Sequence, residues 1–134
     1  MSAVERLEDV LRTWPGVKLA VLFGSAARGA GRPRDLDVGV WLEPGDVPDD
    51  VALRVALSRA AGQDVDLIML NTAPPLLRFE IARDGRALFE GRPYAWADFR
   101  ARAMVDWWDW APTWRAMQAA AVNRLRQRVA DGPT

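Results

Sequence analysis

Apolar residues Val4, Leu7, Val10 and Leu11 recur at steps of three and four, which predicts a first helix running to about Trp14. Ser2 and Glu5 before them have the spacing of a capping box, and Pro15-Gly16 closes the element. The run from Lys18 to Phe23 is almost continuously apolar, as in a central strand buried on both faces. It leads into Gly24-Ser25-Ala26-Ala27-Arg28-Gly29, read as a tight turn opening a short helix, and then a loop through Arg34. Asp35 to Leu42 reads as a second strand, Val51 to Ala61 as a helix and Asp64 to Leu70 as a third strand. A helix from about Pro75 to Arg83, stopped by Asp84-Gly85, precedes a short edge strand over Arg86 to Glu90. From Trp96 to Val129 the pattern is helical, with a break or kink expected near Pro112. Strands interspersed with helices predict an α/β (α+β) fold, a small mixed sheet covered by helices with a C-terminal helical extension.

Composition narrows the chemistry. The 134 residues suit a single domain, with a core over 1–92 and a helical region over 93–134. Cysteine and histidine are both absent, which excludes disulfides, thiolate or imidazole zinc sites and Ser–His or Cys–His catalysis. A bound metal would be a hard cation on oxygen ligands, and a general base would be a carboxylate. No apolar run approaches a membrane span and the N-terminus lacks signal-peptide character, so a cytoplasmic location is expected. The formal charge is zero, so no global field draws the chain to nucleic acid or anionic lipid. Lys18 is the only lysine; the arginine bias reflects genome composition or suits phosphate, whose oxygens a guanidinium can bind in pairs.

Three aspartates stand out. Asp35 and Asp37 are two apart on a predicted strand and leave one face, where each raises the pKa of the other. A cation between them relieves that repulsion, and oxygen-only ligands point to magnesium. Asp66 can supply a third carboxylate, enough to hold two ions for an in-line displacement at phosphorus. Gly24-Ser25 offers close backbone approach, exposed N–H groups and a hydroxyl for phosphate. Arg28, about a turn further on, can reach the same phosphates or simply cover its helix. Singly, a Gly-Ser turn or an Asp-x-Asp is an ordinary surface feature; their order and spacing make the case. Asp64 shares a face with Asp66, so periodicity does not choose between them.

The run Leu22-Phe23-Gly24-Ser25-Ala26-Ala27-Arg28-Gly29, followed by Asp35-Leu36-Asp37-Val38, resembles the signature of DNA-polymerase-β-like nucleotidyltransferases. In particular it resembles the minimal nucleotidyltransferases (MNT) encoded beside HEPN proteins in prokaryotic toxin–antitoxin modules. Val65 to Asn71 is similar to that family's third-aspartate strand, Leu76 to Phe89 to its next helix, glycine and strand, and Phe99 to Pro112 to its closing helical region. The resemblance implies magnesium-dependent transfer of AMP from ATP to a hydroxyl, a tyrosine in some members, of a HEPN RNase toxin that is thereby silenced. It implies that Gly24 and Ser25 bind the triphosphate, that Asp35, Asp37 and Asp66 bind magnesium, and that Asp66 is the base for the acceptor hydroxyl. It selects Asp66 over Asp64, because the acid stands directly before Leu-x-x-Leu-Asn. Nine residues separate Ser25 from Asp35, one fewer than is usual in the family, and Arg34 stands where a serine is frequent.

The tail holds Trp96, Trp107, Trp108, Trp110 and Trp114. Phe99, Ala103, Trp107, Trp110, Trp114 and Met117 form a stripe of helical period, expected to pack on the core, while Trp108 lies off it and can meet a partner such as the HEPN toxin. Arg115, Arg124, Arg126 and Arg128 make the last segment basic without the interleaved aromatics of a nucleic-acid platform. Two other functions compete: transfer to a small molecule such as an aminoglycoside, and a non-catalytic antitoxin or binding module.

Overall fold

A computed structural model describes residues 1–27, 35–45 and 49–132. The elements run α1 (Ala3–Thr13), β1 (Val17–Phe23), β2 (Leu36–Leu42), α2 (Asp50–Ala61), β3 (Val65–Met69), α3 (Pro75–Asp84), β4 (Arg86–Glu90) and α4 (Ala95–Asp131). Ser2 caps α1 by accepting from the Glu5 N–H at 3.2 Å. The Glu5 carboxylate returns to the Ser2 hydroxyl at 3.3 Å, so the box closes side chain to side chain. Asp49 caps α2 through the Ala52 N–H, and Gly62 ends it in the left-handed region at φ 70°.

The strands form one mixed sheet in the order β3-β2-β1-β4, with β1 antiparallel to both β2 and β4 and β2 parallel to β3. β4 is an edge strand, as its length and position in the sequence suggested. Side-chain alternation sorts the strands into two cores. Ala20, Leu22, Val38, Val40 and Val65 meet Leu7 and Leu11 of α1 and Leu53 and Leu57 of α2 on one face. On the other face, Leu19 and Val21 meet Ile81 and Ala82 of α3 and Phe99 and Ala103 of α4. β1 is therefore covered on both sides, which is why its run lacks polar alternation.

Asn71, just past β3, donates to the Leu42 carbonyl at 3.1 Å and accepts from the Leu42 N–H at 2.9 Å. This side-chain amide continues the β2–β3 ladder and pins the register that sets Asp37 opposite Asp66. On the far face, Arg78 of α3 bonds Asp106 of α4 at 2.9 Å and Phe79 stacks on Trp107 with centroids 5.4 Å apart.

Two expectations change. Of the break or kink expected near Pro112, the break is absent: α4 is a continuous helix of 37 residues with Pro112 inside it. Both Pro112 and Trp108, whose carbonyl loses its donor, are exposed, so the missing hydrogen bond falls on a solvated face. Second, the buried stripe of α4 is Ala95, Phe99, Ala103, Trp107 and Ala111, at steps of four. Trp110 and Met117 are exposed, because the body of the protein ends beneath Ala111; Trp114 keeps an edge contact with Trp107 at 5.7 Å. The tight turn expected at Gly24-Ser25 is present over residues 24–27, while the short helix expected to open from it falls on Arg28 and Gly29, which with Arg34 lie outside the described residues.

Candidate active site

β1 ends at Phe23 directly opposite Asp37 of β2, and Asp37 lies in register with Asp66 of β3. Asp35 precedes β2 rather than lying within it, but keeps the odd parity of Asp37. Leu36, Val38, Val40, Val65, Leu67 and Met69 point to the α1–α2 core, so Asp35, Asp37 and Asp66 leave the opposite face. Asp66 and Asp35 are exposed and Asp37 is half-buried between them. Burial, and then the charges of Asp66 and Asp35, push the Asp37 carboxyl above its ordinary range.

Gly24 follows at once with φ +72°, a conformation that side chains disfavour. A Cβ there would run into the Asp37 carboxylate, so the glycine is what lets the turn close over that acid. Ser25 is half-buried beside it in the same turn, and its hydroxyl has no hydrogen-bond partner among the described residues. The site thus brings together Gly24, Ser25, Asp37 and Asp66, with Asp35 at the rim.

Asp64 is placed differently. Its carbonyl accepts the Leu36 N–H at 3.1 Å, starting the β2–β3 ladder, while Asp66 takes the position facing Asp37. A cavity of about 290 Å³ holds Phe23, Asp37, Asp66 and Leu77, together with Arg54 of α2. An adjoining one of about 420 Å³ holds Asp35, Asp64 and Asp66 with Arg54, Ser58 and Arg59. On the other flank, about 340 Å³ opens beside Phe23, Gly24, Leu77 and Glu80. Shared walls make these one trough, with the Asp37–Asp66 pair at its middle. Arg54 and Arg59 were not singled out from sequence; on an exposed helix face they read as ordinary solvated cations, and only the packing of α2 beside β3 brings them here.

The donor set suits a hard divalent cation in kind: oxygen ligands only, one of them half-buried and crowded by like charge. As they stand, no three acidic side chains among the described residues are arranged to hold a metal ion. The carboxylates alone therefore do not make a closed cage.

The unit so assembled is strand–turn–strand, presenting Gly24-Ser25 against paired aspartates on a mixed sheet. The sequence model of the family described as polymerase beta, nucleotidyltransferase matches residues 5–93, and the chain belongs to that family. Among solved structures, the chain resembles one of a toxin–antitoxin with AMP-PNP at TM-score 0.71 and 23% identity, over 92% of this chain and 98% of that one. A chain of the complex of tri-AMPylated Shewanella oneidensis HEPN toxin with MNT antitoxin gives 0.67 and 23%, over 92% and 96%. A minimal nucleotidyltransferase gives 0.54 and 32%, over 64% of this chain and 95% of that one. In the comparison with curated proteins, none matches. No helix among the described residues is long and apolar enough to cross a membrane.

Proposed function

We propose that this protein is a magnesium-dependent adenylyltransferase that moves AMP from ATP to a hydroxyl, a tyrosine by analogy, of a HEPN-type toxin, and so acts as its antitoxin. The observation that carries the reading is the Gly24 turn closed against Asp37, with Asp66 facing Asp37 from the next strand. Family membership and the fold shared with MNT–HEPN complexes support it.

Asp37 and Asp66, with Asp35 at the rim, would hold magnesium, water and substrate phosphates completing its ligands. When bound, the metal supplies charge neutralisation at the triphosphate and acidifies the attacking hydroxyl. Gly24 and Ser25 receive the phosphates: the backbone approaches closely where no Cβ stands, and the Ser25 hydroxyl donates. The acceptor oxygen attacks the α-phosphorus, an O–P bond forms, the bond to pyrophosphate breaks, and the proton passes to Asp66. Asp66 suits that part because it is exposed and an incoming side chain can reach it. The acceptor protein would dock along α4, which exposes Trp108 and, in its far half, Met117, Leu125 and Val129.

The test is incubation with α-labelled ATP, magnesium and the protein encoded next to it. Label should move to the partner and vanish with Asp35→Asn/Asp37→Asn. Transfer that persists in the double variant overturns the metal assignment. Neutralisation of the partner by an inactive double variant would instead mark a binding antitoxin, and pyrophosphate release only with an aminoglycoside would mark a small-molecule acceptor.

A further inference from the structure

Arg54 belongs to α2, whose other face buries Leu53, Leu57 and Ala61. It lines both the cavity that contains Asp37 and Asp66 and the one that contains Asp35 and Asp66. Among the described residues it makes no ion pair and no hydrogen bond, although carboxylates share its cavities. Arg12, Arg78, Arg83, Arg92 and Arg102 each hold a carboxylate. Among the described residues, the guanidinium of Arg54 is therefore not engaged in holding the fold together.

The trough poses an electrostatic problem that Arg54 answers. Three carboxylates repel a triphosphate, and the Gly24-Ser25 turn offers it only dipoles from one side. A guanidinium presents a planar fork that matches two phosphate oxygens at once. We propose that Arg54 is a phosphate-binding residue of the transfer site, holding oxygens of the nucleoside triphosphate across the trough from Gly24 and Ser25. This rests on the nucleotidyltransferase reading and extends it to a residue outside the family signature. Arg59 provides the comparison, since it lines only the outer cavity, away from Asp37.

The test is equilibrium binding of AMP-PNP with magnesium to the full chain, with thermal unfolding measured alongside. Arg54→Ala should weaken binding by about 10- to 100-fold, the range for a charged hydrogen-bond pair. Arg54→Lys should recover part of the loss by keeping the charge without the fork, while Arg59→Ala should stay within about twofold of wild type and all three should keep the wild-type unfolding midpoint. Affinity unchanged in Arg54→Ala overturns the proposal, as does an equal loss in Arg59→Ala, which would mark a diffuse field. A loss in Arg54→Ala that follows a lowered unfolding midpoint overturns it too. A wild-type chain that does not bind AMP-PNP sinks the nucleotide reading and this proposal with it; wild-type binding that Arg54→Ala leaves intact sinks this proposal alone.

Discussion

Gly24 and Asp37 occupy complementary space: the carboxylate of Asp37 stands where a side chain at position 24 would begin. Backbone and acid are thereby fixed against each other, with Phe23 and Asp37 paired across β1 and β2 just before the turn. Gly24→Ala should be damaging for two independent reasons. It forces a side chain into φ +72° at a cost of about 1–2 kcal/mol, and it pushes Asp37 off its place. The expected outcome is a modest fall in unfolding free energy and a loss of transfer activity of about 100-fold, larger than the fall in stability explains. Denaturant unfolding and labelled-ATP transfer measured on one preparation separate the two effects.

Asp37 should trade stability for function. Its folded-state pKa is raised by burial and by Asp66 and Asp35, so the folded protein holds that proton more tightly than the unfolded chain. The favourable contribution is complete below the unfolded carboxylate pKa and is lost as pH rises through the raised value. Asp37→Asn removes this loss. In chelator-treated protein the variant should unfold at a higher temperature than wild type near neutral pH, with the gap closing toward pH 3. Magnesium should narrow the gap by stabilising wild type more, while the variant loses activity by about 100-fold or more. A variant less stable than wild type at neutral pH without metal would count against a strained carboxylate.

The strands, the first three helices and the aspartates were legible because each rests on a local rule. β1 is apolar on both faces, and Asp37 and Asp66 each stand near the start of an otherwise apolar strand, where an acid is conspicuous. The register that joins Asp37 to Asp66 was not legible, since it depends on which strands are neighbours. The sequence also could not say where the body beneath α4 ends; periodicity continues through Trp114 and Met117 although burial stops at Ala111. Pro112 did not end α4 as a local rule suggests; the Trp108 carbonyl that loses its donor is on an exposed face, where water can take the place of the missing hydrogen bond. Arg54 carries no local mark of a site, because only the placement of α2 against β3 brings it to the trough.

Asn71 gives the register a specific dependence. Its amide both donates to and accepts from the Leu42 backbone, so Asn71→Ala removes two hydrogen bonds at the end of the β2–β3 ladder. The expected cost is about 1–3 kcal/mol in denaturant unfolding. Asn71→Asp keeps the acceptor but loses the donor and should fall at least as far, through repulsion between the carboxylate and the Leu42 carbonyl. Magnesium binding should weaken in both variants if the ladder is what holds Asp66 to Asp37. Unchanged magnesium affinity in a destabilised Asn71→Ala would show that the register does not rely on this clamp.

Trp107 and Trp108 are adjacent but sit in opposite environments, 9% and 70% exposed. Trp107 stacks on Phe79 and meets Trp114 edge-on, tying α4 to α3. Trp107→Ala should therefore cost about 3–5 kcal/mol, and Trp108→Ala about 0.5 kcal/mol or less. Deleting residues 116–132, all exposed, should also leave the unfolding midpoint nearly unchanged, since that half of α4 buries nothing within the chain. If α4 is the docking surface, Trp108→Ala and the deletion should weaken co-purification with the HEPN-type partner while leaving AMP-PNP binding at the trough intact. Partner binding that survives both changes would move the interface elsewhere, and a deletion that lowers the midpoint by more than a few degrees would show that the projecting helix supports the fold after all.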